Sequence, residues 1–231
     1  MIDDPIRVNK FIAQHLHIGR RAADDLINDG KVMLNGSAPS LGARVSPDDV
    51  VVVDGTRIHA AATPLTYLLI DKPTGYVCSR RQQGDTPTIY QLLKPEHQHL
   101  KAVGRLDKDS SGILLLTNDG DYAHQLTHPS FAKTKRYEVA LDRPLAPLHR
   151  QMISDHGITL PDGPSKLQLE RQHDDNDHAW IVAMHEGRNR QIRRTFAALG
   201  YEVTALRRTN FGPFSLHDLG DAKQRIIPKP A

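Results

Sequence analysis

Between Gly104 and Gly120 the chain reads GRLDKDSSGILLLTNDG, the stretch most able to carry chemistry. Polar, turn-forming residues from Asp107 to Gly112 precede the apolar run Ile113–Leu116, which must be buried. A carboxylate at such a strand mouth lies on a loop held by a rigid scaffold, where catalytic groups are often found. By spacing alone, Asp107 reads as a turn residue sooner than as a catalyst. A second concentration of functional side chains lies further on. Between Gly187 and Asn210 stand Arg188, Arg190, Arg193, Arg194, Arg207 and Arg208, against Glu202 alone. Arginines at 190, 193 and 194 have the i, i+3, i+4 spacing that gathers side chains on one helix face. Such a face fits a phosphate-binding surface; the plain alternative is a solvated helix face.

Composition limits the other options. The formal net charge is +3 in 231 residues, so the distribution of basic residues says more than their sum. Cys78 is the single cysteine, which excludes an internal disulfide and a cysteine-based zinc site. His15/His17 and His97/His99 lack a helical ligand spacing and acidic partners, so no metal is expected. No glycine-rich phosphate loop, HExxH or GxSxG occurs. The start, MIDDPIRVNK, does not read as a signal peptide, and the apolar runs Val50–Val53 and Ile113–Leu116 are too short to span a bilayer. The expectation is a soluble, reducing, cytoplasmic setting, with no membrane contact and no obligatory protein partner, hence a monomer.

The elements that position these residues fall into two groups. Residues 6–55 read as a compact module. Val8, Phe11, Ile12 and Leu16 follow a helical period that Gly19 breaks, and a second helix runs through RRAADDLINDG to Gly30. KVMLNG and DDVVVVDG then read as strands closed by Asn-Gly and Asp-Gly turns. Arg20, Arg21 and Lys31 give the module a basic edge, although its charges balance at six of each sign. Residues 56–64 lack periodicity and read as a linker. From Leu65 to the end, strands (TYLLIDK and, after a Lys-Pro-Thr-Gly turn, YVCS; ILLLTND; RYEVALD; AWIVAMHE; YEVTALRR) alternate with short helices (DYAHQLTHP, RQIRRTFAALG). Arg171–His178 reads as an exposed polar loop. This pattern predicts an α+β fold on a mixed, largely antiparallel sheet.

The N-terminal segments RVNKFIAQ and GRRAADDLINDGKVMLNG resemble the S-four RNA-binding domain. GRLD followed by SGILLLTNDG resembles the signature of the RsuA/RluB family of pseudouridine synthases. Lys135-Arg136-Tyr137 before a strand, HEGRNRQIRR at 185–194 and LRRTNFGPFSL at 206–216 resemble that family's later motifs, in the same order. The resemblance spans nearly the whole chain.

It implies an isomerase that converts a uridine in ribosomal RNA to pseudouridine. Net isomerisation neither oxidises nor phosphorylates anything, so no cofactor is expected. The resemblance places Asp107 as the catalytic carboxylate, acting as nucleophile or as proton acceptor. It pairs Arg193 with that carboxylate, sets Tyr137 against the target base and puts Leu206 in the pocket wall. Arg105 would hold the flipped nucleotide by its phosphate, and Arg188, Arg190 and Arg194 would contact RNA, as would Arg20, Arg21 and Lys31. HEGRNRQIRR and LTHPS favour a large-subunit rRNA target over a small-subunit one. Two other readings compete: a non-catalytic RNA-binding or ribosome-assembly factor, and an aspartate-dependent glycosylase that releases the base.

Overall fold

The computed structural model describes residues 5–58, 64–82, 84–131 and 133–229. The chain divides into two compact units, Met1–Leu65 and Thr66–Ala231.

The first unit contains β1 (Ile6–Arg7), α1 (Val8–His15), α2 (Arg20–Asn28), β2 (Val32–Leu34), β3 (Arg44–Val45), β4 (Val51–Val53) and β5 (Thr56–Ile58). The helical period buries Val8, Phe11 and Ile12 against Ala23, Ile27, Val32, Val45 and Val51. Leu16 does not join them. His17 takes a left-handed backbone, α1 stops at His15, and Leu16 stays 37% exposed. The Asn35-Gly36 and Asp54-Gly55 pairs both have positive φ throughout, as two-residue hairpin turns require. The second of these turns feeds β5 back onto β4, so Thr56–Ile58 belong to this sheet and not to the expected linker. A linker at 59–63 falls outside the described residues.

The second unit comprises β6 (Tyr67–Lys72), β7 (Lys101–Val103), β8 (Ser111–Thr117), α3 (Gly120–Thr127), β9 (Lys135–Leu141), α4 (Pro147–Gln151), β10 (Ile158–Leu160), β11 (Gly163–Ser165), β12 (Gln168–Arg171), β13 (Ala179–Met184), α5 (Gln191–Ala197), β14 (Val203–Phe211), β15 (Phe214–Ser215) and β16 (Gln224–Ile227). Its main sheet runs β12-β13-β9-β14-β8-β6-β16, with β15 on β14 and β7 on β8. Every pairing is antiparallel except β14 with β8, so the sheet is mixed and mostly antiparallel, as expected. The YVCS segment is not a strand; Val77 makes only an isolated bridge to Thr88.

Strand β8 positions the loop that carries Asp107. One edge pairs with β6 along its length. The other edge is divided: β14 takes Ser111 and Gly112, and β7 takes Leu115 to Thr117. The loop 104–110 therefore bridges the gap between β7 and β14. At the crossing, a Cβ on Gly112 (φ +111) would lie 2.1 Å from the carbonyl oxygen of Arg208. No side chain fits there, which is why the chain needs glycine one residue into the strand. Apolar side chains of β8 fill both faces: Ile113 and Leu115 pack with Tyr67, Val103 and Phe211, while Leu114 and Leu116 pack with Leu68, Ile70 and Ile89.

Candidate active site

The 104–110 loop forms one wall of a cavity of about 460 Å³. Arg105, Leu106 and Asp107 line it from the loop, Tyr137 from β9, Leu206 and Arg208 from β14, and Arg188 and Arg190 from the segment before α5. Tyr137 and Leu206 are 8% and 7% exposed, so their side chains form packed walls and not mobile surface. Asp107, Tyr137, Leu206 and Arg105 thus share one cavity.

The carboxylate of Asp107 makes no hydrogen bond among the described residues. Its nearest cation is Arg190, with Nη1 3.9 Å from Oδ2, and a third of its side chain is exposed. Its backbone is held firmly. Lys72, completely buried at the end of β6, donates from Nζ to the carbonyls of Asp107 (3.0 Å), Ser110 (2.7 Å) and Pro73 (3.0 Å). Three acceptors match three ammonium protons, so one side chain pins the loop at its middle and at its end. Burial pulls the Lys72 ammonium below the ordinary lysine range; neighbouring Arg208 acts the same way, and Asp107 and Asp109 oppose it. Sequence reading missed Lys72, although the Lys-Pro pair after a buried strand was a visible signal. Beneath the loop, the Leu106 amide donates to Cys78 Sγ at 3.4 Å, and burial raises the Cys78 thiol above its usual range.

The arginine pairings differ from those expected. Arg193 does not reach Asp107. It donates from Nη2 to the Asp109 carbonyl (2.9 Å) and from Nη1 to the Val203 carbonyl (2.6 Å), and its Nε stands 3.3 Å from Asp109 Oδ2 without hydrogen-bond geometry. Asp109 is instead gripped bidentately by Arg190, at 3.0 and 2.8 Å. Nor do Arg190, Arg193 and Arg194 form a helix face. Arg190 precedes α5 in a left-handed conformation (φ 47, ψ 32), which turns its guanidinium back to the loop, and Arg194 pairs bidentately with Asp162 at 3.0 and 2.7 Å. Arg188 reaches Asp162 as well and donates to the carbonyls of Gly163 and Pro164, so it clasps the β10–β11 turn. These four guanidiniums are therefore committed to protein acceptors, and the expectation of a free basic face does not hold. Long-range carboxylates neutralise it. The cavity cations that make no ion pair or side-chain hydrogen bond among the described residues are Arg105 and Lys133.

Arg20 and Arg21 are exposed in the first turn of α2, and Lys31 pairs with Asp29 at 3.2 Å. These three belong to the first unit. No cluster of metal-binding side chains occurs among the described residues, and no helix there is long and apolar enough to cross a membrane.

The Arg190 hydrogen bonds, with help from Arg193, hold the Asp109 carboxyl below the usual carboxylate range. A lowered folded value means stability that is present above the ordinary Asp range near ~3.9 and is lost as pH falls through the folded value. Asp109→Asn is therefore expected to show a shallower loss of stability on acidification than the parent. Urea midpoints measured from pH 6 down to 3 check this, and parallel curves would show that the Arg190–Asp109 pair contributes nothing.

Comparison with known proteins bears on what this cavity serves. A profile of the family described as RNA pseudouridylate synthase matches residues 66–198. The chain is 35% identical to the ribosomal large subunit pseudouridine synthase B of Bacillus subtilis (strain 168), covering 94% of this chain and 91% of that one. It is 34% identical to the ribosomal small subunit pseudouridine synthase A of Pasteurella multocida (strain Pm70), over 96% of each. A solved structure described as a pseudouridylate synthase superposes with a TM-score of 0.67 at 29% identity, over 97% of this chain and 96% of that one. The profile covers the cavity walls contributed by the loop, β9 and the start of α5, and the full-length matches extend through β14; this chain belongs to the RNA pseudouridine synthase family.

Proposed function

We propose that this protein converts one uridine of large-subunit ribosomal RNA to pseudouridine, with Asp107 as the carboxylate that acts on the nucleoside. The observation that carries the reading is the state of Asp107: its backbone is pinned by Lys72 while its carboxylate, in a cavity, has no hydrogen-bond donor among the described residues. A carboxylate on a loop pinned by a rigid scaffold and open to a cavity is placed to act on what enters that cavity.

The reaction breaks the bond between ribose and the base nitrogen, turns the base, and joins a ring carbon to the same ribose carbon. The hydrogen on that ring carbon leaves as a proton and the nitrogen gains one, so atoms and charge balance without a co-reactant. A base inside a helix cannot turn in this way, so the nucleotide must leave the stack and enter the cavity. There Tyr137 and Leu206 offer a flat aromatic and an apolar wall, and Arg105 a free cation for the flanking phosphate. The carboxylate then serves either as nucleophile at the ribose or as proton acceptor. Arg190 supplies the nearest compensating charge, a role the resemblance had suggested for Arg193. In this reading the first unit is an S-four-type module that adds RNA contacts through Arg20, Arg21 and Lys31, and the protein works as a cytoplasmic monomer on rRNA or an assembly intermediate.

The large-subunit target is supported by the Bacillus subtilis relative and by the HEGRNRQIRR and LTHPS segments. The Pasteurella multocida relative, similar over its full length, supports a small-subunit target as the second reading. Incubating the purified protein with protein-free transcripts of both rRNAs, followed by nucleoside mapping, decides between them. The expected result is pseudouridine at one site in the large-subunit RNA. The same product in the small-subunit RNA alone favours the second reading, an abasic site marks a glycosylase, and binding without change marks a non-catalytic factor.

A further inference from the structure

Three aromatic side chains at the rim of the cavity have no part in the reaction described. His124 on α3, His128 just after it and Phe131 form an exposed cluster. The His124 and His128 ring centroids lie 4.8 Å apart at 35°, and Phe131 stands 6.3 Å from each at 83° and 76°. Phe131 is 46% exposed, an unusual degree for a phenylalanine.

The cluster is continuous with the cavity, because His128 itself lines it together with Thr127, Lys133 and Asp107. It is also held in place. Ser130 donates from its backbone amide to His128 Nδ1 at 3.3 Å, and its hydroxyl lies 2.7 Å from the same nitrogen, which fixes the imidazole plane. Lys133, exposed and without an ion pair among the described residues, is two residues beyond Phe131. Exposed rings held in a set orientation beside an uncommitted cation match the needs of an unpaired nucleotide: a π-face for the base and a charge for its phosphate.

We propose that His124, His128, Phe131 and Lys133 form a second nucleotide subsite, which stacks the base of a residue flanking the one that enters the cavity. This rests on the reading of the protein as an enzyme that takes its target uridine out of the stack, and it adds a determinant of which RNA segment can dock. Arg105 holds the target nucleotide, Lys133 its neighbour. The subsite explains why the chain leaves a large aromatic exposed next to the cavity.

The test uses the full chain and single-stranded hexauridylates carrying one 2-aminopurine, moved through the positions in turn. Stacking quenches 2-aminopurine, so the expected result is strong quenching at one position and little at the rest. Phe131→Ala and His128→Ala should abolish that position-specific quenching and weaken binding about fivefold or more. Lys133→Gln should weaken binding severalfold and lower the salt slope by roughly one contact, with the quenching at saturation retained. No saturable binding, equal quenching at all positions, or unchanged quenching in Phe131→Ala would overturn the subsite. Because the readout is binding, it separates from catalysis. Position-specific quenching in a protein that fails to modify rRNA would sink the enzymatic reading alone, and pseudouridine formation without such quenching would sink the subsite alone.

Discussion

Asp107→Asn is expected to lower the single-turnover rate of pseudouridine formation by about a thousandfold or more while leaving RNA affinity within a few-fold. Asparagine keeps the shape of the side chain and removes the carboxylate. It can neither attack a ribose carbon nor accept a proton at the needed rate, and about 4 kcal/mol of transition-state stabilisation corresponds to the loss quoted. The fold gives an unusually clean setting for this substitution. The Asp107 side chain is one-third exposed and accepts no hydrogen bond among the described residues, and the loop is held through the Asp107 main-chain carbonyl, which the substitution retains. Arg190 stays on Asp109 in either case. Stability should therefore change by no more than about 0.5 kcal/mol. The measurements are single-turnover rate, filter binding and a thermal melt on the same preparation. Near-normal turnover would remove Asp107 from the chemistry, and a collapse of the melt would show that the side chain has a structural task not visible in its contacts.

What could be read from the sequence was what local chemistry decides. The Asn35-Gly36 and Asp54-Gly55 turns, the apolar strand Ile113–Leu116 and the helix around Phe11 follow from spacing and backbone freedom over a few residues, and each is present. The gathering of Asp107, Tyr137 and Leu206 in one cavity was available only through family resemblance, because their strands are adjacent in the sheet and remote in the chain. The charge balance was not legible at all. A window from 187 to 210 holds one acidic residue, yet Asp109 and Asp162, lying 81 and 32 residues from the arginines they bind, occupy Arg190 and Arg194. Leu16 fitted the helical period and still ended outside the core, because the backbone reverses at His17. The segment at 56–58, without any apolar period, became a strand because an Asp-Gly turn delivers it to the open edge of β4. Periodicity reports the face of an element; it does not report what the next element brings to that face.

Lys72→Met should produce the second large effect, on turnover more than on folding. Two opposing terms act on stability. Methionine relieves the cost of burying an ammonium, several kcal/mol for an ion in a dry site. It also leaves the Pro73 and Ser110 carbonyls without a donor among the described residues, at about 1–3 kcal/mol each if they remain buried, while the Asp107 carbonyl keeps the Ser110 amide at 3.1 Å. They need not remain so, since Lys108 and Asp109 of the same loop are exposed and the loop can shift by a small amount while Arg190, Arg193 and Gly75 still hold it. The net loss of stability should therefore be small, about 1–2 kcal/mol. The relaxed loop carries Asp107 with it, and a displacement near 1 Å can cost about a hundredfold in rate. The expected result is a fall of that order in turnover with KM changed only a few-fold. A role that was merely structural would lower the amount of active protein and leave the rate per folded molecule unchanged. The pH dependence adds a second discriminator. Because burial lowers the Lys72 pKa, the unfolded chain holds that proton more tightly, and folding stability gains as pH rises from the lowered value toward ~10.4. Activity should move the other way in that window, since a neutral amine has two protons for three carbonyls and one hold on the loop is lost. Alkaline loss of turnover and gain of stability that are larger in the parent protein than in Lys72→Met would identify Lys72 as the residue that positions Asp107. A Lys72→Met protein with parental turnover would show that the loop holds its shape without it.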